Sequence, residues 1–378
     1  MTPVGIKLIG PIYDVSGIAQ CVREAAIALH DSGINVQLIE IRDFAPFSPD
    51  IEEEKINKLR IMQSNQQLGK NFVTVHYYPL ELMARTPLDP QARANITWNV
   101  YETDRIPYFW KLLLNKKSID QAWVASEFNK ETFINSKVDR DKVQVVNQGV
   151  DLITYNPNNK PLDQFPKTDK SFYFSYISEL KVCKGYDLLL KAFYEEFANE
   201  PTAKLIFKCT STDDRNVLDN IVNMIKSYKG SSKAEIILLH GNKSEDFMKR
   251  LYASADCFVL PTRGEGWGLG LIQSMASGIP VITTKCTAQM TYCNEENSLL
   301  IDANPEKIHN LEWLMSVPIQ NEHWWWEPNY NQLKQKMRYA FEHRDVMKAK
   351  GIQARKDVEK FSWANTVIQI IKNLKRYE

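Results

Sequence analysis

Neither sign of charge is in excess in this sequence of 378 residues, which holds 47 Lys and Arg against 46 Asp and Glu. Proteins that bind nucleic acid by neutralising phosphates carry a basic excess, so we expect no nucleic-acid partner. No apolar run reaches the roughly 18 residues that a membrane span needs, although a peripheral membrane contact stays compatible with the sequence. The first ten residues lack the features of a signal peptide, so we expect a soluble, cytoplasmic protein.

Cysteine pairs with metal-binding or redox spacing are also missing. The six cysteines are scattered along the chain, without a C-x-x-C pair. In a chain of this length such spacing favours reduced thiols over a disulfide framework or a zinc site. The six residues are Cys21, Cys183, Cys209, Cys257, Cys286 and Cys293.

Short apolar runs alternate with segments of helical periodicity, which predicts an α/β architecture with parallel sheets. In the first half, Ser16 is a plausible cap for a helix that follows the first strand, and Gly33 a plausible stop. Residues 151–170 are rich in Pro, Asn and Asp and are the best linker in the chain. Strands are predicted at residues 4–9, 36–41, 72–76, 96–101, 121–125 and 143–146.

A second alternating series follows the linker. It has predicted strands at 172–177, 204–207, 235–239, 257–260 and 280–283, and helices at 186–197, 216–228, 245–253 and 269–277. Residues from about 305 to 378 are predicted to be helical, and the last helix has an apolar face to bury. We therefore predict two doubly wound, Rossmann-like domains at 1–160 and 161–360, which face each other across a ligand cleft, and a terminal helix at 361–378 that packs back on the first domain.

The densest chemical signal is the segment P-T-R-G-E-G-W-G-L-G at residues 261–270. An apolar strand runs into four alternating glycines and then into a helix, where unpaired amides can approach an anion closely. The spacing is neither that of a dinucleotide-binding fingerprint nor that of a P-loop. A simple strand–helix turn, with Glu265 favourable near the helix start, explains this segment about as well.

Two further features favour an anionic ligand. Lys181 and Lys184 precede a predicted helix, where a cation opposes the helix dipole unless an anion lies there too. For Lys181 we favour a solvated surface lysine. Residues 10–17, which end at Gly17, form a second strand–helix turn that offers amides. Two domains with such turns suit a ligand with a diphosphate in its middle.

Several motifs follow one another in a fixed order along the chain. In the second half they are K-G-Y-D-L-L (184–189), A-D-C-F-V-L-P (255–261), E-G-W-G-L (265–269), M-A-S-G-I-P-V-I (275–282) and E-N-S-L-L-I-D (296–302). The first half adds weaker matches at residues 10–17, at V-A-S-E-F (124–128) and at Q-G-V-D (148–151). Taken together, these motifs resemble those of the retaining glycosyltransferases of family 4, which have the GT-B fold.

The resemblance implies transfer of a sugar from a nucleotide diphosphate sugar to an acceptor hydroxyl, with retention at the anomeric carbon, in glycan or polysaccharide assembly. The donor would bind to the second domain and a glycan, lipid-linked or protein acceptor to the first. No cofactor or metal is implied, and we interpret the D-x-D at Asp139 to Asp141 as surface. The residues implied in donor binding are Gly17, Lys184, Glu265, Gly266, Trp267, Gly268, Leu269 and Gln273.

Within this resemblance, Glu265 contacts the transferred sugar and Lys184 stabilises the departing diphosphate, which makes both candidate catalytic residues. Gln273 stands where the family has an acidic residue that holds the ribose. An amide oxygen makes a weaker bond there, and a helix residue bonded within its own core is the other interpretation. The family's arginine before the phosphate lysine is also missing, because Ser178 and Glu179 occupy those places.

On the acceptor side, the segment Tyr101 to Asp104 resembles a family subset with E-T-D after the fourth strand. Glu102 would orient the acceptor hydroxyl or support the cationic transition state, with a capping or surface carboxylate as the other interpretation. Asp104 is predicted as a second acceptor-side residue beside Glu102. His76 closes a strand and is also a candidate there, although a lone histidine at a strand end is more often structural.

Three adjacent tryptophans at residues 324–326 cannot share one helical face, and we expect them to anchor the segment that returns toward the first domain. Two rival functions stay open. One is another enzyme of the same fold, such as a nucleotide-sugar epimerase or a phosphorylase. The other is a non-catalytic sugar-nucleotide-binding subunit that needs a partner, and the departures at Gln273 and at the missing arginine keep this alternative open.

Overall fold

The computed structural model describes residues 4–41, 51–168, 170–210, 215–308 and 322–377. These residues form two compact units. The described parts of Met1–Asp151 and Lys360–Glu378 make up the first unit, and the described residues from Leu152 to Glu359 make up the second. The second unit thus starts at the beginning of the Pro- and Asn-rich stretch, whereas the sequence pattern places the boundary at residue 160.

A parallel sheet in the order β2-β1-β3-β4-β5-β6 is the core of the first unit. All residues of β3 and β4 are buried, as is typical of central strands whose sheet is covered on both faces. The elements are β1 (Gly5–Gly10), α1 (Gly17–Asp31), β2 (Val36–Glu40), α2 (Glu53–Ser64), β3 (Phe72–His76), β4 (Asn95–Asn99), α3 (Tyr108–Leu114), β5 (Gln121–Val124), α4 (Glu127–Asn135) and β6 (Val143–Val145).

Helix α1 shows why the predicted boundaries hold. The Ser16 side chain accepts a hydrogen bond from the Ala19 amide at 3.1 Å and so satisfies one of the unpaired amides at the helix start. Two residues after the helix, Gly33 has a φ of +79°, the left-handed conformation in which helices commonly end. Both signals are local, which is why the sequence reveals them.

The second unit is built on a parallel sheet in the order β12-β11-β10-β7-β8-β9, which is the order of a doubly wound Rossmann sheet. Its elements are β7 (Phe172–Glu179), α5 (Tyr186–Glu196), β8 (Ala203–Thr210), α6 (Arg215–Lys229), β9 (Glu235–His240), α7 (Glu245–Ser254), β10 (Cys257–Leu260), α8 (Leu269–Ala276), β11 (Val281–Thr284) and β12 (Ser298–Ile301). The predicted strand at residues 257–260 coincides with β10.

The prediction that residues 305–378 are helical is wrong at its start. There β13 (Ala303–Lys307) pairs antiparallel with β14 (Trp324–Pro328), and Pro305 lies opposite Trp326. Aromatic side chains favour the extended backbone, in which neighbours alternate between two faces and three adjacent indoles need not share one. The tryptophans therefore belong to a pair of antiparallel strands in the second unit. Their expected role as an anchor for the segment that returns toward the first domain stays a prediction. Residues 309–321 lie outside the described residues.

The rest of this segment is helical, as predicted. It contains α9 (Tyr330–Glu342), α10 (Arg344–Val358) and α11 (Trp363–Leu374). Helix α11 lies in the first unit and contacts α1. The Ser362 side chain caps it by accepting from the Asn365 amide, and Ser362 also forms an isolated parallel bridge with Val150.

Among the described helices, none combines the length and the apolar character that crossing a membrane requires.

Candidate functional site

The strand order of the second unit reverses between β7 and β10. From β7 the chain proceeds to β8 and β9 on one side and then returns to place β10 on the other. In open parallel sheets, ligands bind outside the carboxyl ends of the strands at such a reversal. Lys184 lies in the turn that follows β7, and Glu265 lies in the loop that follows β10. The topology therefore brings the two strongest candidates of the sequence to one place.

Lys184 and Glu265 form a buried ion pair at this reversal. Lys184 Nζ donates to Glu265 Oε1 at 2.9 Å, and only 11% and 8% of the two side chains are exposed. Burial of an ion pair contributes little to net stability, because desolvation offsets most of the attraction. Such a pair at the edge of a sheet is a candidate for function, since its ammonium group suits a phosphate and its carboxylate suits hydroxyl groups.

The Lys184 turn packs directly on the start of the glycine-rich loop. Gly185 has a φ of +68°, and a Cβ at this position would lie 1.9 Å from the Pro261 carbonyl oxygen, so only glycine fits. The Cys183 carbonyl oxygen accepts from the Thr262 hydroxyl at 2.8 Å and from the Arg263 amide at 2.6 Å. These contacts fix the distance between the two loops that carry the ion pair.

Arg263 is a functional neighbour that the sequence did not reveal. Its buried guanidinium donates to the Val182 carbonyl oxygen at 2.6 Å, to both Asp187 carboxylate oxygens at 2.9 Å and to Glu327 at 3.1 Å. Burial alone would lower the pKa of Arg263, but the two carboxylates outweigh it and the pKa is raised. The guanidinium also lies 5.2 Å from the centre of the Trp325 ring. Arg263 thus ties the Lys184 turn, the start of α5 and β14 together.

Thr287 holds Glu265 from the other side. The Glu265 amide donates to the Thr287 hydroxyl oxygen at 2.9 Å, and the hydroxyl donates to the Gln289 side-chain oxygen at 2.8 Å. Thr287 has a φ of +50°, which is unfavourable for a β-branched residue and persists only where neighbours impose it. No sequence signal marks this residue.

The start of α8 is equally fixed. Gly268 has a φ of +93°, and a Cβ there would lie 2.6 Å from the Tyr292 hydroxyl oxygen. That hydroxyl donates to the Trp267 carbonyl oxygen at 2.6 Å. The Trp267 ring is 2% exposed and lies edge-on to Tyr292, so this side chain packs beneath the loop. The loop from Gly266 to Leu269 can therefore offer backbone amides and the positive end of the helix dipole.

Gln273 occupies the core side of α8. It is 6% exposed, and its side-chain oxygen accepts from the Tyr252 hydroxyl at 2.9 Å. The oxygen that the family resemblance assigns to a ribose thus has a partner within the unit. Its role in donor binding stays a prediction.

The first unit also gathers its candidates at one edge of its sheet. Its strand order reverses between β1 and β3, and β4 follows β3. Gly17 is the exposed first residue of α1 after β1, His76 is the last residue of β3, and Glu102 and Asp104 follow β4. Ser16, which precedes Gly17, donates its amide to Asp14 Oδ1 at 2.7 Å.

His76 is fully buried and has a structural environment. Its Nδ1 lies 2.7 Å from the Tyr78 hydroxyl oxygen, and the two rings are edge-on. Burial lowers the pKa of His76 to about 4, although a hydrogen bond with Asn95 acts in the opposite direction. His76 is therefore neutral near pH 7. These properties agree with a structural histidine, the role that the sequence favours for it.

Glu102 and Asp104 lie on a loop that hydrogen bonds hold in place. The Asn129 amide group donates to the Tyr101 carbonyl oxygen at 2.8 Å, and the Thr103 hydroxyl donates to the Arg105 carbonyl oxygen at 2.9 Å. Both acidic residues are half-buried, and Asp104 pairs with the exposed Arg105 at 3.2 Å. The loop thus presents Glu102 on a supported backbone.

Several predicted surface features are confirmed. Lys181 is exposed and pairs with Glu179 at 2.7 Å, as expected for a solvated lysine. Asp139 and Asp141 are exposed in a short turn, where Asp139 Oδ1 accepts from the Asp141 amide. The six cysteines are free thiols, which agrees with the prediction of reduced cysteines, and all six are buried.

Comparisons with known proteins match the segment that contains the Lys184–Glu265 pair. The family model "Glycosyl transferases group 1" matches residues 171–312, which contain Lys184, Glu265 and Thr287. The mannosylfructose-phosphate synthase of Agrobacterium fabrum is 30% identical over 109 residues, which are 29% of this chain and 24% of that protein. The O-antigen biosynthesis glycosyltransferase WclY of Escherichia coli is 26% identical over 178 residues, 47% of this chain and 44% of that protein. The chain thus spans less than half the length of these curated relatives.

A solved structure extends the likeness to the whole chain. The crystal structure of Anabaena HepE in complex with UDP and glucose has a TM-score of 0.69, at 12% identity, and covers 99% of this chain and 100% of that one. At this identity the likeness shows the fold, which is the predicted GT-B fold. Membership of family 4 is consistent with these findings and stays a prediction. The segment that contains the ion pair and the glycine-rich loop is thus similar to the group 1 glycosyltransferases.

Proposed function

We propose that the chain is a retaining, metal-independent glycosyltransferase of family 4 that moves a sugar from a nucleotide diphosphate sugar to an acceptor hydroxyl in glycan assembly. The observation that carries the proposal is the buried pair of Lys184 and Glu265 at the strand reversal of the second unit, next to the start of α8. Retention and membership of family 4 follow from the motif resemblance.

In this mechanism the difficult event is departure of the nucleoside diphosphate while positive charge develops at the anomeric carbon. Lys184 and the amides of residues 266–269 stabilise the negative charge that grows on the leaving phosphates. Arg263 and Thr287 position the two loops, so the charges need no rearrangement during the reaction. Glu265 accepts hydrogen bonds from hydroxyls of the transferred sugar. Glu102 orients the acceptor hydroxyl.

The proposal assigns the charge of the diphosphate to side chains of this protein, so activity should not require a divalent ion. Lys184 supports this assignment, because a lysine ammonium is a point charge suited to a phosphate. Full activity in excess EDTA is the expected result, and activity that EDTA abolishes and Mg²⁺ restores contradicts metal independence. The buried free thiols of the six cysteines support a reducing, cytoplasmic location.

Product analysis with purified protein tests the function. Sugar nucleotides are incubated with and without saccharide acceptors, and release of nucleoside diphosphate is followed. We expect release that depends on an acceptor, with Lys184→Met lowering kcat/KM by about 10²–10³-fold. Lys181→Met is the matched control, because this lysine is exposed and paired outside the ion pair, and it should retain kcat/KM within about twofold.

Three outcomes would contradict parts of this proposal. A nucleotide sugar converted into an isomer without acceptor indicates an epimerase. Donor binding without turnover, restored by a second protein, indicates a binding subunit. Equal activity of Lys184→Met and the wild type removes Lys184 from the mechanism.

A further inference from the structure

Lys208 is a buried lysine of the second unit. It lies on β8 and is 8% exposed. Within the described part of the chain, no acceptor forms a hydrogen bond or an ion pair with its ammonium group. A buried and unpaired ammonium is unfavourable, because it loses its hydration without gaining an ionic partner. The arrangement becomes favourable when a ligand brings a negative charge.

The register of the sheet places Lys208 on the same face as Glu179, the last residue of β7. Lys208 pairs with Ile177 of β7, and two residues nearer the carboxyl edge Thr210 pairs with Glu179. Because alternate residues of a strand share a face, Lys208 and Glu179 are on the same side of the sheet. The Glu179 carboxylate pairs with Lys181 and also lies within the electrostatic influence of Lys184 and Lys208. Lys208 thus belongs to the same charged neighbourhood as Lys184.

A second lysine approaches from the next strand. Lys243 is half-buried in the loop between β9 and α7, where its ammonium lies 5.5 Å from the centre of the Phe247 ring. Burial is the main cause that lowers the pKa of Lys208 to about 8, and Lys243 acts in the same direction, whereas Cys209 and Glu179 raise it. Two cations that raise each other's electrostatic energy are stabilised when an anion binds to both.

The four charged groups follow the order of the strands. Glu265 follows β10, Lys184 follows β7, Lys208 lies on β8 and Lys243 follows β9, and these four strands are successive neighbours in the sheet. Neighbouring strands are about 4.8 Å apart. A ligand whose sugar lies at Glu265 and whose diphosphate passes Lys184 would continue toward Lys208 and Lys243.

We propose that Lys208 and Lys243 form a second cationic subsite, which binds the phosphoryl group at the nucleoside end of the donor. This inference rests on the proposed function, because it extends the same ligand along the sheet. The family has an arginine before the phosphate lysine, and this chain has Ser178 and Glu179 at those places. The proposal therefore assigns the second positive charge to Lys208 on β8. A phosphoryl oxygen neutralises both lysines, whereas a neutral base carbonyl would leave their repulsion in place.

The test is isothermal titration calorimetry with UDP, compared across the wild type and three variants. Lys208→Met removes both the positive charge and the hydrogen-bond donor. Lys208→Gln keeps a neutral hydrogen-bond donor, and Lys208→Arg keeps the positive charge. We expect Met and Gln each to weaken UDP binding by about tenfold or more, and Arg to stay within about threefold of the wild type. Wild-type affinity in Lys208→Met, or in Lys208→Gln, overturns the proposal.

Proton uptake separates this role from a structural one. At pH 8 about half of Lys208 is neutral, so binding of UDP should take up about half a proton, as measured by titration in buffers of different ionisation enthalpy. Lys208→Met should abolish the uptake. A wild type without uptake, or a variant that retains it, contradicts the assignment.

The controls distinguish this proposal from the function on which it rests. If UDP does not bind to the wild type, ADP, GDP and dTDP are titrated in turn, and failure of all four contradicts the proposed function itself. If one binds and Lys208→Met binds it equally well, only the second subsite is wrong. Should Lys208→Met fail to fold, Lys243→Met carries the test from its half-buried loop, with an expected loss of about threefold. Unchanged affinity in that variant overturns the subsite.

Discussion

The two parallel sheets present different chemistry at their carboxyl edges. In the second unit, Lys184 and Glu265 are buried, paired and supported by residues that fix both loops. In the first unit, His76 is buried, and Glu102 and Asp104 are half-buried on a loop whose neighbour Arg105 is exposed. A fixed and desolvated charge suits a ligand that always carries the same anion. Half-exposed polar groups suit a neutral ligand with hydroxyl groups.

Arg263 gives the strongest test of this contrast, because its buried guanidinium ties together the elements that support the site of the second unit. Arg263→Met leaves the carboxylates of Asp187 and Glu327 without their partner, and loss of one member of a buried pair costs about 3–5 kcal/mol. We expect a fall of that size in the free energy of unfolding of the second unit, measured by urea denaturation. Arg250→Met is the control, since Arg250 pairs with the exposed Asp163 and should cost less than about 1 kcal/mol. Equal losses of unfolding free energy in Arg263→Met and Arg250→Met would contradict the claim that Arg263 supports the site of the second unit.

Substitution of His76 tests whether the carboxyl edge of the first unit's sheet contains a buried, neutral side chain. Its pKa of about 4 lies below the ordinary value of 6.5, so the unfolded chain takes up the proton first as the pH falls. The contribution of neutral His76 to the stability is therefore fully present above pH 6.5 and is lost as the pH falls from 6.5 to 4. Between pH 7 and pH 5, the wild type should lose about 2 kcal/mol more unfolding free energy than His76→Gln.

The control for this pH effect is His30→Gln, because His30 lies at the surface end of α1. Urea denaturation at the two pH values measures all three proteins. His30→Gln should follow the wild type. If His76→Gln does so too, the histidine is accessible and its place among the acceptor-side candidates is strengthened.

Glu102 gives the smallest effect and separates the roles of the two edges. Glu102→Gln should lower kcat by about tenfold at saturating donor, since it removes a carboxylate that orients the acceptor hydroxyl, and should leave the KM for the donor unchanged. Asp104→Asn, one position further along the loop, should stay within about twofold because Asp104 already pairs with Arg105. A rise in donor KM for Glu102→Gln would place Glu102 on the donor side.

Whether the sequence predicts a feature depends on how far apart along the chain the interacting residues lie. The strands at residues 72–76 and 257–260 and the cap at Ser16 depend on neighbours in the chain, so apolar patterns and single residues reveal them. Arg263 binds carboxylates 76 and 64 positions away, and no local pattern marks such partners.

The same distinction applies to the errors. The strand pair of β13 and β14 joins residues about 20 positions apart, and the helical prediction there followed composition instead of pairing. Thr287 has its unfavourable φ only because Glu265 and Gln289 hold it, which no sequence pattern shows. The charges of the site could be predicted from motifs, whereas the residues that position them could not.

A crystal structure of the protein with a bound sugar nucleotide tests the central claim most directly. The account predicts the diphosphate within hydrogen-bond distance of Lys184 Nζ and of the amides at residues 266–269, with the nucleoside directed toward Lys208. A diphosphate bound anywhere else on the second unit, with Lys184 still paired to Glu265 alone, would contradict it.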